Sequence, residues 1–352
     1  MFRILSLAGG GLRGAYAIGF LSELESRVDG PLTDYFDLIA GASTGGITAS
    51  ALSYGLTAQD MQKFYENHGS KIFTPRPKMK LPNGGQLVYP LVRRFVNWKT
   101  RQNLDDYFRA RYCSEMLEKS MLEGFGTDCF ADIRKCRLII PAVNLTDGKT
   151  CIFRTPHLPT KRPEYNWKIS DIIISATAAP TFFSHKTMPD GKSYVDGGLW
   201  ANDPGLVAMA ETARILRCKD GACSRESHGS SFDSSQVQIL SLGTGQTTHS
   251  LSPPGTDAGV LYWARHVVEV MNVLQVQGAQ FPLKVALGNR YRQFDFEIKD
   301  KSWSLDNVEM VEEIFQLGRE EGKKQYESLK ETFFTKKTEP YEPMGLDPAL
   351  QD

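Results

Sequence analysis

The sequence has no excess of charge of either sign, no long apolar run and few cysteines. Its 352 residues include 41 Lys plus Arg and 41 Asp plus Glu, which gives a formal net charge of zero. A domain that binds nucleic-acid polymers is usually strongly basic, so the composition speaks against that class. No apolar run comes near the roughly 18 residues of a membrane-spanning helix, and residues 1–7 run into glycines without the pattern of a signal peptide. We therefore expect a cytoplasmic protein.

Cysteine usage also excludes a class of protein. The six cysteines stand at irregular positions, too few for the disulfide framework of a small secreted chain. Cys218 and Cys223 are five residues apart, but no second Cys/His pair with zinc-ligand spacing accompanies them. We expect no metal site. With 41% hydrophobic residues the chain can bury a large core.

A short segment, residues 36–50, has the pattern of a buried strand, a sharp turn and the start of a helix. Its turn matches G-x-S-x-G at residues 41–45, with Ser43 at the centre. In a nucleophile elbow, small residues on both sides of the serine let the backbone take a strained turn that exposes the hydroxyl. The amides and dipole of the following helix would stabilise negative charge near that hydroxyl. Ser43 is therefore the candidate nucleophile.

The first strand, residues 2–8, is followed by a glycine-rich loop at residues 9–14 and a predicted helix. The loop fits two functions. Its glycines satisfy the dinucleotide fingerprint G-x-G-x-x-G, but that site needs an acidic residue at the end of the second strand, and Asp37 stands at the beginning of that strand. Alternatively, unobstructed glycine amides beside a helix N-terminus can bind an oxyanion.

Strands and helices alternate over the first 245 residues. Predicted strands also cover residues 137–143, 151–154, 193–195, 237–242 and 291–296, and predicted helices cover residues 57–68, 103–123, 167–177, 204–216, 258–280 and 305–334. This alternation predicts an α/β fold with a largely parallel central sheet that helices cover on both faces. Residues 218–235 are rich in Gly and Ser and indicate a surface linker.

A basic segment interrupts this alternation at residues 71–101. It contains no acidic residue, and aromatic residues stand among its Lys and Arg side chains. One interpretation is a solvated loop. The other is contact with an anionic partner, either phospholipid headgroups or a phosphate-bearing ligand. The candidate contact residues are Lys78, Lys80, Arg93, Arg94 and Arg101.

A serine nucleophile needs a base to take its proton. The late histidines, His228, His249 and His266, fall in a predicted linker, a polar loop and a predicted helix, so none stands in a glycine-rich corner. Asp196 does, because Asp-Gly-Gly follows a short predicted strand. Asp196 is the candidate base, although Asp-Gly-Gly also forms ordinary turns.

The order of these motifs resembles the patatin-like phospholipase family. The motifs are the Gly-Gly-Gly-x-Arg-Gly loop, G-x-S-x-G, the segment 175–183, Asp-Gly-Gly at 196–198 and Leu-Gly-Thr-Gly at 242–245. The resemblance implies a three-layer fold over about residues 1–300, with residues 301–352 forming a C-terminal helix and polar tail packed on it or extending it. It also implies a lipid acyl hydrolase without a cofactor, in which Ser43 attacks and Asp196 is the base. The oxyanion region would be Gly9, Gly10, Gly11 and Arg13.

One position departs from the family pattern, because Ala8 stands where members often have Asp before the three glycines. We expect this change to leave the chemistry intact, since backbone amides would bind the oxyanion. Compact members of the family resemble bacterial effectors of antiphage signalling that a cyclic dinucleotide activates. The resemblance thus implies a phospholipase acting on membrane glycerophospholipids at the inner membrane surface. Two alternatives stay open: a catalytically quiet storage or interaction protein, and a nucleotide-binding oxidoreductase. The sequence does not indicate the oligomeric state.

Overall fold

The structure, a computed structural model, describes residues 1–77, 109–219, 232–247, 259–298, 302–344 and 346. Within these residues a central sheet has the strand order β5-β6-β3-β2-β1-β7-β9, and β4 pairs with β3. A small separate sheet pairs β8 with β10. The strands are β1 Phe2–Leu7, β2 Leu38–Gly41, β3 Arg137–Asn144, β4 Lys149–Arg154, β5 Lys186–Thr187, β6 Ser193–Asp196, β7 Val237–Leu242, β8 Gln246–Thr247, β9 Tyr291–Phe294 and β10 Glu297–Ile298.

The centre of the main sheet is parallel and one side is antiparallel. β1 runs parallel to β2 and β7, and these run parallel to β3 and β9. On the other side β4 and β6 pair antiparallel with β3, and β5 pairs antiparallel with β6. The predicted α/β fold with a largely parallel sheet is confirmed.

Helices cover both faces of this sheet. A 3₁₀ turn, Gly11–Gly14, follows β1. The described α-helices are α1 Ala15–Glu25, α2 Thr44–Tyr54, α3 Ala58–Ile72, α4 Ser114–Phe125, α5 Ile169–Ala176, α6 Gly198–Ala201, α7 Gly205–Lys219, α8 Val260–Leu287 and α9 Val311–Phe333.

The hydrophobic core forms two layers, one on each face of the sheet. Leu5, with residues of α1, α2 and α9, belongs to the larger cluster. Ile4, with residues of α7 and α8, belongs to the smaller one. All six residues of β1 are buried, as expected for a parallel strand covered on both faces. The arrangement is a three-layer sandwich.

The C-terminal helix α9 packs closely on α1. A Cβ atom added at Gly318 would lie 2.1 Å from the carbonyl oxygen of Tyr16, and one added at Gly19 would lie equally close to that of Phe315. Only glycine permits this approach of the two backbones. The sequence predicted this helix over residues 305–334, and the structure begins it at Val311.

Helix α8 extends beyond its predicted end at residue 280. It continues through Pro282 to Leu287. A proline inside a helix costs about 3 kcal/mol. Leu283 and Leu287 are fully buried in the smaller cluster, so their burial offsets that cost.

Candidate active site

Ser43 occupies a strained turn between β2 and α2. Its backbone has φ 51° and ψ −126°, and Thr181 is the only other non-glycine residue with positive φ in the described part of the chain. Such a conformation costs about 1 to 3 kcal/mol and marks functional turns. A Cβ atom at Gly41 would lie 2.2 Å from the carbonyl oxygen of Gly45, and one at Gly45 would lie 2.2 Å from that of Leu7. Both glycines of the motif are therefore required by packing.

Asp196 lies at the end of β6, directly beside Ser43. The Ser43 hydroxyl donates to Asp196 Oδ2 at 2.6 Å, and the Gly198 amide donates to Asp196 Oδ1 at 2.7 Å. The antiparallel pairing of β6 with β3, which sets Asp196 opposite Ala142, fixes its position. The two side chains that the sequence singled out are thus hydrogen-bonded.

The environment of Asp196 makes its carboxylate more basic. The residue is 4% exposed. Burial raises its pKa to about 6, although the hydrogen bonds from Ser43 and Gly198 act in the opposite direction. A carboxylate whose pKa is close to neutral is a stronger proton acceptor than an exposed one and is still ionised at pH 7.

No histidine is among the described residues that line the cavity with Ser43. His157 is fully buried elsewhere, where its Nε2 lies 3.0 Å from Glu211 Oε1 and its Nδ1 lies 3.0 Å from Thr155 Oγ1. His228 and His249 lie outside the described residues, and His266 falls within α8. The geometry therefore favours a carboxylate base.

The glycine loop lies on the other side of Ser43, and Gly9 is held there by three hydrogen bonds. Its amide donates to the Asn202 carbonyl at 3.0 Å. Its carbonyl accepts from Asn202 Nδ2 at 3.2 Å and from Thr244 Oγ1 at 2.7 Å. Because the Gly9 amide is already bonded, Gly9 supports the loop's position and is a poor oxyanion donor.

Gly10 and Gly11 present the amides that remain. The Gly10 amide makes a long hydrogen bond of 3.3 Å to Thr44 Oγ1. Gly11 has φ 59°, and no recorded hydrogen bond within the described residues involves its amide. A Cβ atom at Gly11 would lie 2.2 Å from the Leu305 carbonyl oxygen. These two amides and the first amide of α2 are the available donors beside Ser43.

Arg13 borders the same cavity. Its amide donates to the Gly10 carbonyl at 3.2 Å, which closes the loop. Its positive charge lowers the pKa of Asp295, which burial raises above the ordinary range. Asp295 in turn accepts from the Gly245 amide at 2.6 Å. These contacts support a role for Arg13 in holding the loop and its neighbours in place.

The cavity beside Ser43 has a few polar groups and a mainly apolar lining. Ser43, Asp196 and the glycine loop supply polar groups. The apolar lining comes mainly from α2, α3, α4 and the segment after α5, through the side chains of Ile47, Phe64, Ile72, Phe73, Leu117, Phe182 and Phe183. An apolar cavity with a few convergent polar groups suits a ligand with a hydrocarbon chain and one reactive polar group.

Metal binding, membrane spanning and the basic segment are the other features that the sequence raised. No group of three or more His, Cys, Asp and Glu side chains that could hold a metal occurs in the described residues, and Cys218 is disulfide-bonded. None of the helices described here is long and apolar enough to cross a membrane. Five predicted contact residues fall outside the described ranges: Lys78, Lys80, Arg93, Arg94 and Arg101.

Asn202 stands outside every motif of the sequence, and Thr244 stands in a motif that assigns it no role of its own. Asn202 stands six residues after Asp196 and directly follows the short helix α6. This helix brings the Asn202 side chain to the Gly9 carbonyl of the glycine loop. Thr244 belongs to the Leu-Gly-Thr-Gly motif at 242–245. Its position after β7, the neighbour of β1, is the signal that could have linked it to the loop that follows β1.

The chain was compared with known proteins. The family model "Patatin-like phospholipase" matches residues 5–209. A "cGAMP-activated phospholipase" of Pseudomonas aeruginosa is 30% identical over 84% of this chain and 78% of that protein, and one of Vibrio cholerae is 34% identical over 71% and 66%. "Probable inactive patatin-3-Kuras 1" of Solanum tuberosum is 27% identical over 75% and 68%. The chain belongs to the patatin-like phospholipase family.

Proposed function

We propose that this protein is a serine lipid acyl hydrolase that cleaves fatty-acyl esters of membrane glycerophospholipids with a Ser43/Asp196 dyad. The observation that carries the proposal is the 2.6 Å hydrogen bond from the Ser43 hydroxyl to the Asp196 carboxylate, in the lining of a mainly apolar cavity. The strained backbone of Ser43 and the raised pKa of Asp196 support it.

In the first half of the reaction an ester becomes an acyl-enzyme. Ser43 Oγ attacks the ester carbonyl carbon while Asp196 Oδ2 takes the hydroxyl proton. The carbonyl oxygen becomes negative, and in this mechanism the amides of Gly10 and Gly11 donate to it. Loss of one such donor typically costs about 2.7 to 4 kcal/mol of barrier. Collapse of the tetrahedral intermediate breaks the ester bond, and the leaving alcohol takes the proton from Asp196.

In the second half water releases the fatty acid. Asp196 accepts a proton from a water molecule as its oxygen attacks the acyl carbon, and the same amides bind the second oxyanion. When this intermediate collapses, the proton returns to Ser43 Oγ and the fatty acid leaves. Asp196 thus acts as base and then as acid in each half, which a pKa of about 6 favours.

We further propose that a cyclic dinucleotide activates the enzyme, as an effector of antiphage defence at the inner membrane surface. The printed names of the Pseudomonas and Vibrio relatives, both cGAMP-activated phospholipases, support this step. The acid-free segment 71–101 stays the predicted contact for the activator or for anionic lipid. Two sets of substitutions test this contact. Substitution of Arg93, Arg94 and Arg101 should remove activation, whereas substitution of Lys78 and Lys80 should weaken binding to lipid.

A catalytically quiet protein is the second candidate, because one relative is named as inactive. The intact hydrogen bond between Ser43 and Asp196 favours the enzyme. The oxidoreductase is disfavoured, because the family found for the chain is a different one. Asp37, the acidic residue of the second predicted strand, directly precedes β2 at its amino end and accepts from the Arg3 amide at 2.8 Å.

The test is release of fatty acid from vesicles of phosphatidylcholine and phosphatidylglycerol, with and without cGAMP. Wild type should release fatty acid in the presence of cGAMP. Ser43→Ala should release none, and His157→Gln should still show turnover, because His157 lies in another part of the core. Absence of turnover by wild type under every condition would favour the quiet protein.

A further inference from the structure

Helix α8 carries an unusual concentration of exposed apolar side chains. Half of the large hydrophobic side chains that are exposed in the described residues, six of twelve, lie on this one helix. Phe281 and Val285 are each 72% exposed. The six are Trp263, Val267, Met271, Leu274, Phe281 and Val285, and together with Gly278 we call them the α8 stripe.

The α8 stripe occupies one side of the helix. At about 100° per residue its seven members fall within an arc of about 80°, and the stripe is about 33 Å long. A Cβ atom at Gly278 would have nothing within 4 Å, so the gap in the stripe is open. Isolated exposed apolar residues are ordinary, but a continuous stripe of this kind marks a contact surface.

The C-terminal half of the α8 stripe has charge of one sign. From Val270 to the end of the helix at Leu287 the sequence has no acidic residue and one basic residue, Lys284. Arg290 and Arg292 follow the helix, but they donate to groups within the fold. Lys284 is exposed and stands beside Val285 on the helix. An exposed apolar stripe with an exposed lysine at its C-terminal end complements an anionic lipid surface, in which apolar side chains enter the boundary with the acyl chains and basic groups meet phosphates.

The opposite side of the same helix faces the catalytic cavity. Asn272 borders that cavity, and Gln275 Nε2 donates to the carbonyl oxygen of Leu199, which borders it too. The helix therefore stands between the stripe and the part of the cavity that Asn272 lines. A surface that lies on the stripe would be about one helix diameter, roughly 10 Å, from the cavity.

We propose that the α8 stripe is the surface by which this protein binds anionic membranes, and that it brings the catalytic cavity to the lipid. The inference rests on the proposed function for its substrate. A second copy of the chain is the alternative occupant of such a stripe, and sedimentation tests it below. The stripe's six steps cover 22 residues, about 3.7 per step, so it runs nearly straight along the helix, as contact with a flat surface requires.

The test is binding of full-length protein to vesicles of equimolar phosphatidylcholine and phosphatidylglycerol in the presence of cGAMP. A Ser43→Ala background prevents hydrolysis during the measurement. Leu274→Gln, Phe281→Gln and Val285→Gln together should weaken binding at least about a hundredfold, because each buried apolar side chain contributes about tenfold or more. The matched control combines Leu122→Gln, Leu145→Gln and Val308→Gln, which are also exposed, and should bind as the parent does.

A second readout separates this surface from the chemistry. With Ser43 restored, both triple variants should hydrolyse a soluble short-chain ester as wild type does. No ester hydrolysis by wild type would count against the proposed function alone, since vesicle binding is measured independently. The surface proposal is overturned if the stripe variant binds vesicles as the control does, or if the parent does not bind. It is also overturned if sedimentation shows that the stripe variant only dissociates a dimer.

Discussion

Asp196→Asn should make the protein more stable while it removes activity. An ionised carboxylate is costly at a buried site, and burial raises the pKa of Asp196 from 3.8 to about 6. That difference corresponds to about 3 kcal/mol of folding free energy lost near pH 7, at roughly 1.4 kcal/mol per pKa unit. Asparagine can keep the hydrogen bond from Gly198 through its carbonyl, and its amide can donate to the Ser43 oxygen in place of the bond that Ser43 donates to Asp196.

The sign of the pH dependence follows from the same shift. Between pH 6 and 3.8 the folded protein binds a proton at Asp196 that the unfolded chain does not bind, so this site stabilises the wild type as pH falls. The advantage of Asp196→Asn should therefore shrink from about 3 kcal/mol near pH 7 to less than about 1 kcal/mol near pH 4.

Urea unfolding at several pH values measures this difference. The control is Asp29→Asn, because the Asp29 side chain is 97% exposed and its replacement should change stability by no more than about 0.5 kcal/mol at any pH. If folded Asp196→Asn is no more stable than wild type at pH 7, the carboxylate is not desolvated and the account of its basicity is wrong.

Three further predictions concern the same site. In wild type, kcat/KM should fall as pH drops below about 6, since Asp196 must be ionised to accept a proton, and a pH–rate profile that is flat across this range would contradict its role. Asn202→Ala and Thr244→Val should each lower kcat about tenfold with little change in KM, because they position the oxyanion loop; steady-state kinetics in which only KM changes would refute this. Gly45→Ala should prevent stable folding. The control Gly124→Ala, which has open space around it, should be neutral or stabilising by up to about 1 kcal/mol in urea unfolding. Equal stability of the two variants would contradict the close packing at the elbow.

Local patterns predicted the elements that carry the chemistry. The short apolar run before Ser43 and the small residues around it are sufficient to predict a strand, a turn and a helix, and the structure has β2 and α2 there. The capping box at Thr57 and Asp60 likewise marks the start of α3 correctly. These features depend on residues only a few positions apart, so the sequence displays them directly.

Contacts between distant segments were not predictable in the same way. The pairing of Ser43 with Asp196 spans 153 residues. The Asp-Gly-Gly corner made Asp196 a candidate base, but ordinary turns have the same pattern, and only the family resemblance linked it to Ser43. The bonds from Asn202 and Thr244 to Gly9 depend on how α6 and β7 pack around β1. Nothing in the local pattern of residues 9–14 indicates that the Gly9 amide is occupied. That fact follows only from the tertiary structure.

The most direct test of the central claim is to label the protein with a fluorophosphonate and find the modified residue by peptide mass spectrometry. The phosphonate forms a covalent adduct with a serine that a neighbouring base activates, so it reports the dyad without the need for turnover on a membrane. We predict a single adduct on Ser43, with labelling slowed strongly by Asp196→Asn and absent in Ser43→Ala. An adduct on another residue, or labelling of Ser43 at an unchanged rate in Asp196→Asn, would contradict the account.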